Sequence, residues 1–349
     1  PMNEFGDNYI KFFADNIEFR RHAEFTNDRL TGMQLIEYPV DAGGEGDVND
    51  PEYLRHLQNF VDWYKAQPET KKVSSILDLM KDINQAMHGD DPAYYRLPET
   101  REEAAQYLFL FELSLPQGVD LTFLVNMDKS ASRLSIQLDT ITSEEIVALD
   151  QRAQDWQREN WPEAMFTPGS GVSVLFAKIA RRGFDSMVVG TLLALTGISL
   201  ILVFAFRSKR LGLISLVPNL APILMGFGIW GLLSGVIGMG LSVVAALTMG
   251  IVVDDTVHIL SKYRRARVEK GLSAEDAVRY AFANVGVALW ITSIALIAGF
   301  LLVATSSFTL NADMGLLTAI VIACALAADF LFLPPLLMLI DNKDRKLGK

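Results

Sequence analysis

Two adjacent carboxyl groups and a histidine interrupt a stretch that is otherwise apolar. Asp254, Asp255 and His258 follow a run from Leu211 to Val253 that contains no charged residue. In a helix His258 lies one turn from Asp254 and can also reach Asp255. An ionised carboxylate inside a bilayer costs on the order of 3 kcal/mol or more, so such groups persist where they are neutral, paired or next to water. We therefore predict that these three side chains form a proton relay.

Three further polar residues extend the predicted relay. Asp329 lies in a later apolar segment, shortly before Pro334-Pro335, which loosen a helix backbone. It can act as a proton carrier or as a hydrogen-bond partner of a neighbouring helix. Thr292 and Ser293 can donate hydrogen bonds to the acids or bond back to their own helix. The pattern contains no carboxylate–histidine triad for a metal, and we expect no cofactor besides the coupling proton.

Five apolar segments are long enough to cross a membrane. About 20 helical residues cover the roughly 30 Å of a hydrocarbon core, and half of all residues are hydrophobic. A glycine-rich turn at 234–240 divides the longest run. The predicted spans are 186–206, 211–233, 240–262, 285–305 and 314–340, and a basic tail follows at 342–349.

The positions of the basic residues predict the orientation. All 13 Lys and Arg residues from position 207 onward fall in alternate loops and in the C-terminal tail, which predicts that these are cytoplasmic. Residues 1–185 are then extracytoplasmic, so a further span is expected before Pro1. The three basic residues at 178–182 oppose this assignment mildly. The basic run 262–267 leaves another alternative open, in which the acids at 254 and 255 lie at the membrane interface.

Residues 1–185 have the pattern of an α+β domain. Residues 1–206 carry 18 basic against 32 acidic residues. A helix is predicted within 1–28, and further helices separate most of the strands. The predicted strands are 33–40, 72–76, 121–127, 133–139 and 164–167. Strand–helix–strand order occurs twice around a helical insert, which favours a ferredoxin-like βαββαβ sandwich.

Composition excludes several classes of protein. The net charge of −10 argues against nucleic-acid binding. The single cysteine, Cys324, excludes an intramolecular disulfide framework and a cysteine-built zinc site. Since no nucleophile–base set stands out, an enzyme is the weakest of the functional hypotheses.

Three segments resemble the RND superfamily, and most closely its MMPL-like group of exporters related to hopanoid transporters. They are Gly-Ile-Val-Val-Asp-Asp-Thr-Val-His-Ile-Leu (250–260), Ile-Thr-Ser-Ile-Ala-Leu-Ile-Ala-Gly-Phe (291–300) and Ala-Ala-Asp-Phe-Leu-Phe-Leu-Pro-Pro-Leu-Leu (327–337). Tyr94-Tyr95-Arg96-Leu97-Pro98 and Asp128-Lys129-Ser130-Ala131 resemble the outer domain of the same group. The resemblance covers essentially the whole chain.

The resemblance implies half of a transporter in the bacterial inner membrane. Family members have two repeats, each with six helices and an outer porter domain, and proton flow drives the export of lipids or other hydrophobic molecules. The five spans here match helices two to six of the C-terminal repeat. Asp254 then occupies the position of the main proton carrier and Asp255 that of a second acid, while His258 fits the group's pattern.

The implied partners are the other repeat, membrane lipids, a hydrophobic or lipid substrate, and periplasmic or outer-membrane proteins, with oligomerisation open. Two alternatives remain: a sensor or assembly subunit of sterol-sensing type, and an accessory subunit of protein secretion. The titratable pair at 254 and 255 favours transport over a pure sensor.

Overall fold

A computed structural model describes residues 4–6, 9–206, 216–238 and 240–339. Its α-helices are α1 (Glu18–Arg29), α2 (Pro51–Lys65), α3 (Ile76–Met87), α4 (Arg101–Ser114), α5 (Ser143–Asn160), α6 (Val172–Phe206), α7 (Leu216–Leu233), α8 (Val244–Val268), α9 (Ala274–Val303) and α10 (Thr309–Ala327). A π-helical segment at Ala328–Phe332 continues α10. The strands are β1 (Glu4–Phe5), β2 (Gln34–Asp41), β3 (Thr70–Ser74), β4 (Ala131–Leu138) and β5 (Val236–Ile237).

The chain forms two compact units, which divide between Lys178 and Ile179. The sheet unit contains Glu18–Lys178. The helical unit contains Lys11–Ile17 and the described residues from Ile179 onward.

A three-stranded antiparallel sheet forms the centre of the sheet unit. Its order is β2-β4-β3, so β4 lies between two strands that are joined through α2. β2 buries alternate residues, with Ile36, Tyr38 and Val40 on the core face, as expected for a strand with one face packed. The helices begin where capping predicts: Asp50 caps α2 ahead of Pro51, and Ser75 and Thr142 form capping boxes at α3 and α5.

The predicted four-stranded ferredoxin-like sheet is not formed in the described residues, because two of the predicted strands are wrong. Leu121–Phe123 is a 3-10 turn whose start is capped by the Asp120 side chain. Glu163–Met165 is also a 3-10 turn, which follows Pro162. A single antiparallel bridge between Ser170 and Glu37 lies beside β2, where a fourth strand would pair. The predicted N-terminal helix is confirmed for its second half by α1, and a 3-10 turn at Tyr9–Phe12 lies ahead of it.

Asp150 is a buried carboxylate that joins several elements of the sheet unit. It accepts hydrogen bonds from the Gly169 amide at 2.8 Å and from the Tyr38 hydroxyl at 3.3 Å, and it pairs with Lys178 Nζ at 3.3 Å. Burial raises the pKa of Tyr38 well above its usual value, so this hydroxyl stays a neutral donor. The start of α6 is thereby fixed to α5 and β2.

Five helices in the described residues are long and apolar enough to cross a membrane. They are Val172–Ala205, Leu216–Leu233, Leu241–Val268, Ala274–Val303 and Thr309–Leu339. Glycines allow two close helix contacts: a Cβ added at Gly226 of α7 would lie 2.4 Å from Val321, and one at Gly315 of α10 would lie 2.7 Å from the Phe300 carbonyl oxygen. The loop at 207–210 and the tail at 342–349 lie outside the described residues.

Candidate proton-binding site

The predicted proton-binding residues of α8 lie on adjacent faces of one continuous helix. The Asp254 side chain is 73% exposed and that of His258 is 56% exposed. His258 Nε2 lies 3.6 Å from Asp254 Oδ1, the i,i+4 relationship that the sequence predicts. At this distance the two groups interact as an ion pair when His258 is protonated, and a small side-chain movement brings them within hydrogen-bond reach.

A groove between α8 and α9 contains this pair. Its volume is about 870 Å³, and its polar lining comes from Asp254, Asp255, His258 and Thr292. Side chains such as Leu289 and Leu296 make the rest of the wall apolar. The carboxyls therefore line an open groove whose remaining wall is apolar.

The two hydroxyl residues of α9 behave differently. Ser293 is buried and lies 3.3 Å from Asp255 Oδ2, to which its hydroxyl donates. The Thr292 hydroxyl donates to the Ala288 and Leu289 carbonyls of its own helix, at 3.0 and 3.1 Å. Of the two predicted supporting residues, only Ser293 contacts an acid.

Asp329 lies apart from the groove, buried in the bundle. The hydroxyl of Thr256, which is also buried, donates to Asp329 Oδ1 at 3.2 Å, while Oδ2 has no hydrogen-bond partner in the part of the chain that the structure describes. Asp329 belongs to the π-helical segment, in which the Leu333 amide donates to the Ala328 carbonyl five residues earlier. Pro334 and Pro335 follow immediately and lack amide hydrogens, which explains the loosened backbone there.

The structure thus divides the predicted relay into an open part and a buried part. Asp254 and His258 are in the groove and Asp329 is inside the bundle, while Asp255 lines the groove and accepts a hydrogen bond from the buried Ser293 hydroxyl. No group of three or more His, Cys, Asp or Glu side chains in the described ranges is arranged to hold a metal ion.

A comparison of the sequence with known proteins identifies the family of this chain. The model of the MMPL family matches residues 49–347, most of the chain and all of the site. This chain belongs to the MMPL family. A relative described as a membrane protein, from Methanocaldococcus jannaschii, is 22% identical over 303 residues, which cover 84% of this chain and 72% of the relative. MMPL proteins are transporters rather than enzymes, and the five apolar helices of this member fit a membrane protein.

Thr256 is the contact that sequence reasoning missed. Thr256 lies between Asp255 and His258 in the sequence of this MMPL protein. It differs from the other threonines of the membrane helices only because its side of α8 faces Asp329. The sequence offered one signal for this contact. Thr256 follows Asp254 by two residues, and on a helix that spacing places the two side chains on different faces.

Proposed function

We propose that this MMPL protein is one half of a proton-driven exporter of lipids or other hydrophobic molecules. The observation that carries the proposal is the open pair of Asp254 and His258, 3.6 Å apart in a groove of an apolar helical unit. A titratable pair that is accessible to water can load a proton from one side and release it to the other.

In this proposal each relay residue has a role. Asp254 is the proton carrier, and His258 exchanges the proton with the cytoplasmic side. Two other acids set the electrostatic potential at Asp254. They are Asp255, which accepts a hydrogen bond from Ser293, and Asp329, which accepts one from Thr256. Protons are the coupling species in this proposal, and no organic cofactor takes part.

The proposal also includes the surroundings of the site. A second six-helix repeat of the same protein covers the exposed face at Asp254, and the protein lies in the bacterial inner membrane. The sheet unit is the extracytoplasmic porter domain of ferredoxin-like ancestry, with its fourth strand reduced to the Ser170–Glu37 bridge. The basic loops and the C-terminus are cytoplasmic.

Everted membrane vesicles from cells that express the protein provide the test. Asp254→Asn keeps the side-chain volume and removes titration, so proton flux that depends on the protein should fall by about 100-fold or more. Asp313→Asn changes a carboxyl of α10 that does not line the groove, and it should keep wild-type flux. Equal flux through wild type and Asp254→Asn, at equal expression, would refute the proton-carrier role.

A further inference from the structure

An amide and a carboxyl oxygen of the helical unit are buried without a hydrogen-bond donor among the described residues. They are Oδ1 of Asn219 on α7 and Oδ2 of Asp329, whose side chains are 1% and 2% exposed. Leaving such groups unpaired in an apolar interior is costly. A positively charged species or a donor between them would remove that cost.

Helix packing places these two residues at the same level of the bundle. Gly226 of α7 packs on Val321 of α10, and Gly240, which follows α7, packs on Leu310 near the start of α10, so the two helices are antiparallel. Asn219 lies two turns before Gly226, on the same face of α7. Ala328 lies two turns after Val321, on the same face of α10. Asn219 therefore lies at the level of the π-helical segment that contains Asp329, and α7 contacts that segment.

The chemistry of this position suits a small monovalent cation. Asp329 forms no ion pair with a basic side chain in the described residues, so its carboxylate is available to a cation. The Thr256 hydroxyl donates to Asp329 Oδ1 and keeps a lone pair of its own. One carboxylate with neutral amide and hydroxyl oxygens, beside a helix that prolines have opened, resembles the sodium sites of discontinuous transporter helices. A divalent ion of the calcium type normally takes more carboxylates.

We propose that Asp329, Asn219 and Thr256 form a sodium-binding site between α7 and the π-helical segment. This inference is independent of proton transfer at Asp254, because sodium binding is measured without any transport.

The test uses the purified chain in lipid nanodiscs at one alkaline pH. Radioactive sodium should bind saturably, and the melting temperature should rise with the logarithm of sodium concentration once the site is saturated. Potassium and choline chloride at equal ionic strength should give no such rise. Asp329→Asn and Asn219→Leu should abolish sodium binding and the shift.

Thr318→Val is the matched control. Thr318 is a fully buried residue of α10 whose hydroxyl also lacks a partner, eleven residues before Asp329. This variant should bind sodium as the wild type does. The proposal is overturned if the wild type binds no sodium, if potassium or choline stabilises it equally, or if Asp329→Asn still binds sodium. Loss of proton flux in Asp254→Asn with no sodium binding in the wild type would leave the proton proposal standing and reject this one.

Discussion

Thr256 of α8 holds Asp329 of the π-helical segment across a helix interface, with 3.2 Å between the hydroxyl oxygen and Oδ1 of the carboxyl. Thr256→Val keeps the shape of the side chain and removes this donor. Since a buried carboxyl then loses a hydrogen bond, the protein should be destabilised by about 1–3 kcal/mol. Thermal unfolding in nanodiscs measures the change.

Thr248→Val is the control for that variant. Thr248 is buried in the same helix, but its hydroxyl donates to the Val244 and Ala245 carbonyls of α8 itself. Its replacement should leave the melting temperature within the range of ordinary neutral substitutions. Equal melting temperatures for the two variants would show that the Thr256–Asp329 contact contributes nothing specific.

Asp150 should be the most sensitive carboxylate of the sheet unit. Asp150→Asn removes the charge that faces Lys178 and weakens the bond from the Gly169 amide. Hydrogen bonds to charged groups contribute about 1.5–3 kcal/mol, so unfolding of the sheet unit should become easier by about that amount. Asp155→Asn, an exposed change in the same helix, should cost less than 1 kcal/mol. Hydrogen exchange of β2 and β4 amides distinguishes the two, and equal protection in both variants would contradict the role of Asp150.

The sequence predicted some parts of this molecule because their signals are local. Capping residues such as Thr142 and runs without charges define helices by themselves, and the i,i+4 spacing of Asp254 and His258 predicts their proximity once α8 is recognised. Pro334 and Pro335 predicted a loosened helix near Asp329, and the structure has a π-helical segment there.

Other parts depend on tertiary packing that the sequence does not record. The sequence predicts a strand at 121–127, but the Asp120 side chain accepts a hydrogen bond from the Thr122 amide, and Leu121–Phe123 is a 3-10 turn instead. Ser293 and Thr292 are equivalent in sequence terms. Only the rotation of α9 directs Ser293 to Asp255 and leaves Thr292 bonded to its own helix.

Gly315 marks a helix contact that should not tolerate a side chain. A Cβ at this position would lie 2.7 Å from the Phe300 oxygen and 2.9 Å from the Ala304 nitrogen, which are backbone atoms of the α9 end. Gly315→Ala should therefore destabilise the helical unit by about 1–3 kcal/mol. Gly299→Ala adds a Cβ that meets nothing within 4 Å, so it should be neutral or slightly stabilising. A Gly315→Ala protein that melts at the wild-type temperature would show that the two helices are not packed this closely.

Cysteine labelling tests the proposed orientation. In a Cys324→Ser background, Met87→Cys and Ser307→Cys should react with a membrane-impermeant maleimide in intact cells. Val268→Cys should react only after the membrane is permeabilised. Residues 87, 268 and 307 are exposed, so access to the reagent and not burial decides the result. Labelling of residue 268 in intact cells would reverse the orientation predicted from the basic loops.

Infrared titration of the purified protein measures protonation of the carboxyl groups themselves. The C=O stretch of a protonated carboxyl is absent from the ionised form, so difference spectra across a pH series show which groups load a proton. If Asp254 is the proton carrier, one titrating component of the wild-type spectrum disappears in Asp254→Asn and persists in Asp313→Asn. If Asp254→Asn retains every titrating component of the wild type, Asp254 does not carry the proton, and the proposed mechanism of export is wrong.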